Sequence, residues 1–135
     1  MRSGADLCRE LIEKADHDLA AASIGAQHGA PLDTVCFHLQ QAVEKILKAL
    51  LSFAGVCYPL THDLDELLAL ATPAFPALSA FLDRFEDFAP YAVELRYSSS
   101  FYPTEEEVSA GLELVSELHR LINTLLPAQA LPPTE

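Results

Sequence analysis

Basic side chains are scarce in this sequence. Eight lysines and arginines stand against twenty aspartates and glutamates in 135 residues, a formal net charge of -12. Such a surface repels a polyanion at long range, which argues against DNA as a partner and against nonspecific nucleic-acid binding by the protein as a whole. Any anion site must therefore be local. Cysteine is sparse as well. Cys8, Cys36 and Cys57 are odd in number, show no CxxC spacing and lie in or near apolar helical surroundings, so they read as reduced packing thiols of a cytoplasmic protein. No apolar run reaches the roughly 20 residues that span a bilayer. The opening MRSGADLCRELIEKAD is broken by charges within every turn, which is incompatible with a signal peptide. The expectation is a soluble, cytoplasmic protein with no membrane partner.

Several chemistries lack their residues. There is no HExxH, no cysteine-rich metal spacing, no glycine-rich phosphate loop and no paired Glu-x-x-His of the kind that builds a dimetal bundle. Neither a metal nor a cofactor is expected. No stretch alternates apolar and polar residues long enough to make a strand, and there is no internal repeat or low-complexity segment.

What the chain does have is helical periodicity. From Phe37 to Gly55, FHLQQAVEKILKALLSFAG, the apolar residues Leu39, Ala42, Val43, Ile46, Ala49, Leu50 and Phe53 fall on one half of a cylinder. His38, Gln40, Gln41, Glu44, Lys45, Lys48 and Ser52 fall on the other, Glu44 precedes Lys48 in the favourable orientation, and Gly55 is placed to close the helix. Gln41, Lys45, Lys48 and Ser52 form a narrower stripe that holds two of the eight basic residues.

Around this element the pattern predicts a first helix from about Asp6 to Gln27, with Ser3 as its start signal and Cys8, Leu11, Ile12, Ala15, Leu19, Ala22 and Ala26 on one face. Beyond Pro59, Thr61 or Asp63 caps a short helix carrying Leu64, Leu67, Leu68 and Ala71. A fourth helix is expected from Ala77, with Leu78, Phe81, Leu82, Phe85 and Phe88 inward, interrupted at Pro90. YAVELRYSSSFYP reads as a turn or two of helix followed by a loop. Thr104 and the three glutamates after it form a capping box that starts a last helix running to about Leu126, with Val108, Leu112, Val115, Leu118, Ile122 and Leu125 as its stripe. Long amphipathic helices joined by short proline-marked connections indicate an all-α fold, an antiparallel up-and-down bundle of four to five helices. Residues 1–127 form its single domain, and 128–135, AQALPPTE, are expected to be a flexible tail.

Three segments together, FHLQQAVEKILKALL, YPLTHDLDELL, and ELRYSSSFYP before an acidic-capped last helix, resemble the HEPN family of small all-helical domains over nearly the whole chain. The resemblance implies a homodimeric bundle that associates with nucleotides or RNA, often with a small nucleotidyltransferase as partner. Many members are metal-independent ribonucleases whose motif is an arginine followed four to six residues later by histidine. Arginine would orient and stabilise phosphate charge while histidine moves a proton. The matching arginine is Arg96, and Tyr97 to Pro103 contain no histidine. Arg2, Arg9 and Arg84 fail the same spacing, and Arg120 follows His119 in the wrong order.

Catalysis is therefore not carried over, and no catalytic residue is assigned. What carries over is a binding surface. His38, Gln41, Lys45 and Lys48 match the polar positions of the long helix, Thr61 and His62 the loop and cap, and Arg96 and Tyr97 the Arg-Tyr pair. In that reading the cations meet phosphate, and Tyr97 or Tyr102 stacks on a base. Each residue also has a structural role to weigh. A solvated face with an internal Glu44 to Lys48 pair would account for the lysines, and local hydrogen bonding at a helix start for His62. An interhelical hydrogen bond would account for His38, an ion pair with Glu94 or Glu105 for Arg96, and packing at a dimer seam for Tyr97. Three functions follow: a non-catalytic homodimeric accessory protein that binds nucleotide or partners a nucleotidyltransferase in a toxin-antitoxin or defence system, a divergent ribonuclease pairing Arg96 with His38 or His62, and a structural dimerisation module.

Overall fold

The computed structural model describes residues 2–85 and 102–133. The architecture is all-α, with α1 at Gly4–Gln27, α2 at Leu32–Ala54, α3 at Leu64–Ala71 and α4 at Glu105–Leu125, and no strand among the described residues. Short 3-10 segments occupy Pro76–Phe81 and Ala128–Ala130. No helix among the described residues is long and apolar enough to cross a membrane.

Each helix starts where its polar punctuation dictates. The Ser3 hydroxyl accepts from the Asp6 N–H while the Asp6 carboxylate accepts from the Ser3 N–H, a complete capping box that satisfies two otherwise orphan donors. Thr104 and Glu107 repeat the device at α4. Asp63, rather than Thr61, caps α3 through the Asp65 and Glu66 N–H groups. Gly55 closes α2 at φ 72°, and the Val56 N–H reaches back to the Leu51 carbonyl at 2.9 Å, a six-to-one bond that ends the helix sharply.

The α1–α2 pair is the backbone of the molecule. It is antiparallel: Gly4 at the start of α1 lies against the Ser52 carbonyl near the end of α2, and Gly25 near the end of α1 lies against Val35 near the start of α2. α4 lies antiparallel to α1, since His119 meets Asp16 and the turn beyond α4 meets Arg9. α2 is enclosed by its neighbours. Phe53 of the expected apolar positions is only half-buried, whereas Val35, Cys36, Leu47 and Leu51 join the other six as fully buried, and Gln40 and Glu44 from the half expected to be polar and solvated are buried as well.

Three expectations are corrected. The helix predicted from Ala77 is a 3-10 segment, with Pro76 in its first turn and Asp83 at φ 62° turning the chain just after it. Leu78, Phe81 and Phe85 are buried as expected, and the rings of Phe81 and Phe85 stack with centroids 6.1 Å apart, but Leu82 is exposed. Leu125 and Leu112 are only partly buried, and Leu114 and Gly111 take core positions on α4. Finally, the tail beyond Pro127 begins with a seated turn. Ala130 is fully buried, and the Arg9 guanidinium donates to the Gln129 carbonyl at 2.7 Å. The physical reason is that an alanine-rich turn presents little bulk and can lie flat on α1. Pro90 and the segment YAVELRYSSSF lie outside the described residues.

Candidate functional site

Two carboxylates organise the polar flank of α2. Asp18, on α1 and mostly buried, accepts from Lys45 Nζ through Oδ2 and lies 2.9 Å from His38 Nδ1 through Oδ1. Immediately before Lys45 on α2, Glu44 is 5% exposed and gathers three partners. Lys48 Nζ lies 3.1 Å from its Oε2, His62 Nδ1 lies 2.8 Å from its Oε1, and Gln40 Nε2 donates to Oε1 at 3.2 Å. Gln40 also donates to the His62 carbonyl at 3.2 Å and accepts from Gln41 Nε2 at 2.7 Å. These bonds explain how a glutamine and a glutamate sit in an apolar core. Each buried polar side-chain atom among the described residues has a partner.

The sequence-predicted site residues thus fall into two hydrogen-bonded groups along the polar flank of α2, His38 and Lys45 around Asp18, and Gln41, Lys48 and His62 around Gln40 and Glu44, with the α3-leading loop docked through His62. The flank is not a bare cationic stripe. Asp18 balances Lys45 and Glu44 balances Lys48, so its net charge is near zero with neutral histidines. An approaching anion must compete with a partly buried carboxylate, and breaking such a pair without replacement leaves an uncompensated charge in a poorly hydrated place. The expected solvated face is therefore replaced by an ion-paired seam. The expected Glu44 to Lys48 pair is present, and His38 makes the expected interhelical bond. His62 bonds across the fold to α2 instead of locally, because Glu44 faces the loop as well as Lys48. Arg96 and Tyr97 lie outside the described residues.

Tyr102 occupies an unexpected place. Its ring is exposed and its hydroxyl accepts from the Leu32 N–H at 3.2 Å. Pro31 at the helix start offers no capping side chain, so a hydroxyl 70 residues away supplies the acceptor. Asp18 and Tyr102 were not assignable to these partners from spacing, because both act across the tertiary fold. The four-residue spacing pairs Glu44 with Lys48, but nothing local points to His62 or to the burial of Gln40.

Among the described residues no group of three or more histidine, cysteine or acidic side chains is arranged to hold a metal. The arrangement offers hydrogen-bonded imidazoles and paired ammonium groups.

The all-helical architecture, with a buried long helix flanked by this polar seam, defines a small helical-bundle domain. The family model described as HEPN domain matches residues 8–125, and the chain belongs to the HEPN family. No curated protein and no solved structure matches it.

Proposed function

We propose that this HEPN protein is a non-catalytic, homodimeric accessory subunit that partners a nucleotidyltransferase in a toxin-antitoxin or defence system, with nucleotide or RNA contact through the polar flank and the Arg96-Tyr97 segment. The observation that carries the reading is the charge balance of the long helix. Lys45 and Lys48 are each held by a carboxylate, so a phosphate reaches this flank only in competition with Asp18 and Glu44, which suits selective contact with one nucleotide or partner rather than general polyanion binding. The missing histidine after Arg96 supports the same reading from the sequence side. Calorimetric titration with ATP and with a short RNA, on the native chain and on Lys45→Ala and Arg96→Ala, tests it alongside light scattering and native co-purification. A persistent dimer that co-purifies with a nucleotidyltransferase and cleaves no RNA is the expected result. Cleavage of RNA by the native chain overturns it, and a dimer with neither nucleotide nor nucleotidyltransferase reduces the protein to a structural dimerisation module.

One geometric feature favours the ribonuclease alternative. Glu44 holds His62 through Nδ1, while the His62 side chain is 54% exposed. A carboxylate that orients an accessible imidazole is how a general base is commonly positioned. In this alternative Arg96 meets the phosphate, and RNA cleavage is lost in both Arg96→Ala and His62→Ala.

A further inference from the structure

A second polar cluster lies away from that flank, on the side of α1 that faces α4. His119 Nε2 lies 2.7 Å from Asp16 Oδ1, and the pair lines a cleft of about 570 Å³ between α1, α4 and the turn at Ala128–Ala130. The size falls within the range of roughly 300–1,000 Å³ typical of small-molecule sites. Asp16 and His119 are 38% and 31% exposed, so both are reachable from solvent.

The hydrogen-bonding character of the lining is one-sided. An ionised carboxylate can only accept, so the ring nitrogen that faces it, His119 Nε2, carries the shared proton. Among the described residues Asp16 Oδ2 makes no hydrogen bond. Asn123, which also lines the cleft, uses its Nδ2 to donate to the His119 carbonyl at 3.3 Å, leaving its Oδ1 as an acceptor. No lysine or arginine is among the described lining residues. Arg9, the cation that reaches the same turn, is engaged by the Gln129 carbonyl and Asp6. The remaining wall is apolar, with Ile12, Leu131 and Pro132.

We propose that this cleft is a binding site for a small organic cation, an amidinium, guanidinium or ammonium group carried on an apolar body. The charged head would donate to Asp16 and to the Asn123 amide oxygen, and the body would lie against Ile12, Leu131 and Pro132. Donors on the ligand match acceptors on the wall, and the head meets a carboxylate in a chain of net charge -12. The site is independent of the flank on α2 and does not rest on the function proposed above.

The test is titration of the full chain with benzamidine, using benzamide as the neutral isostere, followed by calorimetry and by NMR shifts of residues around His119. Benzamidine is expected to saturate with a Kd of about 1 mM or tighter, and benzamide to bind at least about tenfold more weakly. Asp16→Asn retains an acceptor for His119 Nε2 while removing the charge, and is expected to lose about tenfold in benzamidine affinity with an unchanged circular dichroism spectrum. Leu131→Lys, in the partly exposed segment after α4, places a competing cation in the cleft and is expected to abolish binding. Absence of saturation, equal affinity for benzamide, or undiminished binding by either folded variant overturns the proposal.

Discussion

His62 Nδ1 lies 2.8 Å from Glu44 Oε1, and this contact ties the loop before α3 to the most buried helix of the protein. Glu44 also receives Lys48 and Gln40, so a single carboxylate holds a loop, a lysine and a core amide in register. Removing it should be felt widely. Glu44→Ala leaves Lys48 and the His62 ring without their carboxylate and Gln40 with only the His62 carbonyl, in a poorly hydrated place, and is expected to destabilise the fold by about 2–4 kcal/mol. Urea denaturation with an unchanged m-value checks this, and a loss below about 0.5 kcal/mol would mean that water replaces the carboxylate without cost.

Asp18 offers a sharper test of what the lysines are for. Asp18→Asn removes the charge opposite Lys45 while keeping an oxygen for His38. If the flank contacts phosphate, ATP or RNA affinity should rise by about threefold to tenfold, because the ammonium no longer has a competing carboxylate. Unchanged titration curves would assign Lys45 to a purely structural pair.

Close approach at the start of α1 predicts a glycine requirement. A Cβ on Gly4 would lie 2.5 Å from the Ser52 carbonyl oxygen. Alanine has the higher helix propensity, but the clash is with backbone and cannot be relieved by a rotamer change. Gly4→Ala is expected to cost about 1–3 kcal/mol in thermal or chemical unfolding. Gly25→Ala, whose Cβ would meet the Ala30 Cβ at 3.1 Å, should cost less.

The capping box of α1 sets an acid limit on its first turn. The Ser3 N–H, the Arg9 side chain and the Ser3 hydroxyl lower the Asp6 pKa from 3.8 to about 2. A depressed carboxylate stabilises the fold while it is ionised, so its contribution is complete above about pH 4 and fades as the pH falls through about 2. Protection factors of the amides in residues 4–8, measured relative to the intrinsic exchange rate at each pH, should fall as the pH drops across that window. Asp6→Asn should remove this pH dependence, and identical profiles for the two proteins would show that the box does not govern the end of the helix.

Thiol chemistry should divide the cysteines. Burial raises the Cys8 pKa to about 11, and Cys36 is equally enclosed, whereas Cys57 is exposed. Native protein is expected to take up one equivalent of an alkylating reagent promptly, at Cys57, with Cys8 and Cys36 reacting only on unfolding. Peptide mapping that found Cys8 labelled first would contradict the packing of α1.

The sequence by itself determined α1 to α4, their capping residues and most of the core, because these depend on local spacing, but not the 3-10 segment at Pro76–Phe81. Ser3 with Asp6, Thr104 with Glu107, and Gly55 act within one turn, and the apolar stripes of α1, α2 and α3 identify their buried faces by periodicity. The tertiary structure alone decided the fate of the polar groups. Gln40 and Glu44 read as solvent-facing on a helical wheel, yet a helix enclosed by α1, α3 and α4 has no fully solvated side, and their burial depends on His62 and Lys48 meeting them there. The pairings of Asp18 with Lys45 and of Asp16 with His119 join residues 27 and 103 positions apart. Periodicity within one helix carries no information about such distances, because only the packing of one helix on another sets them.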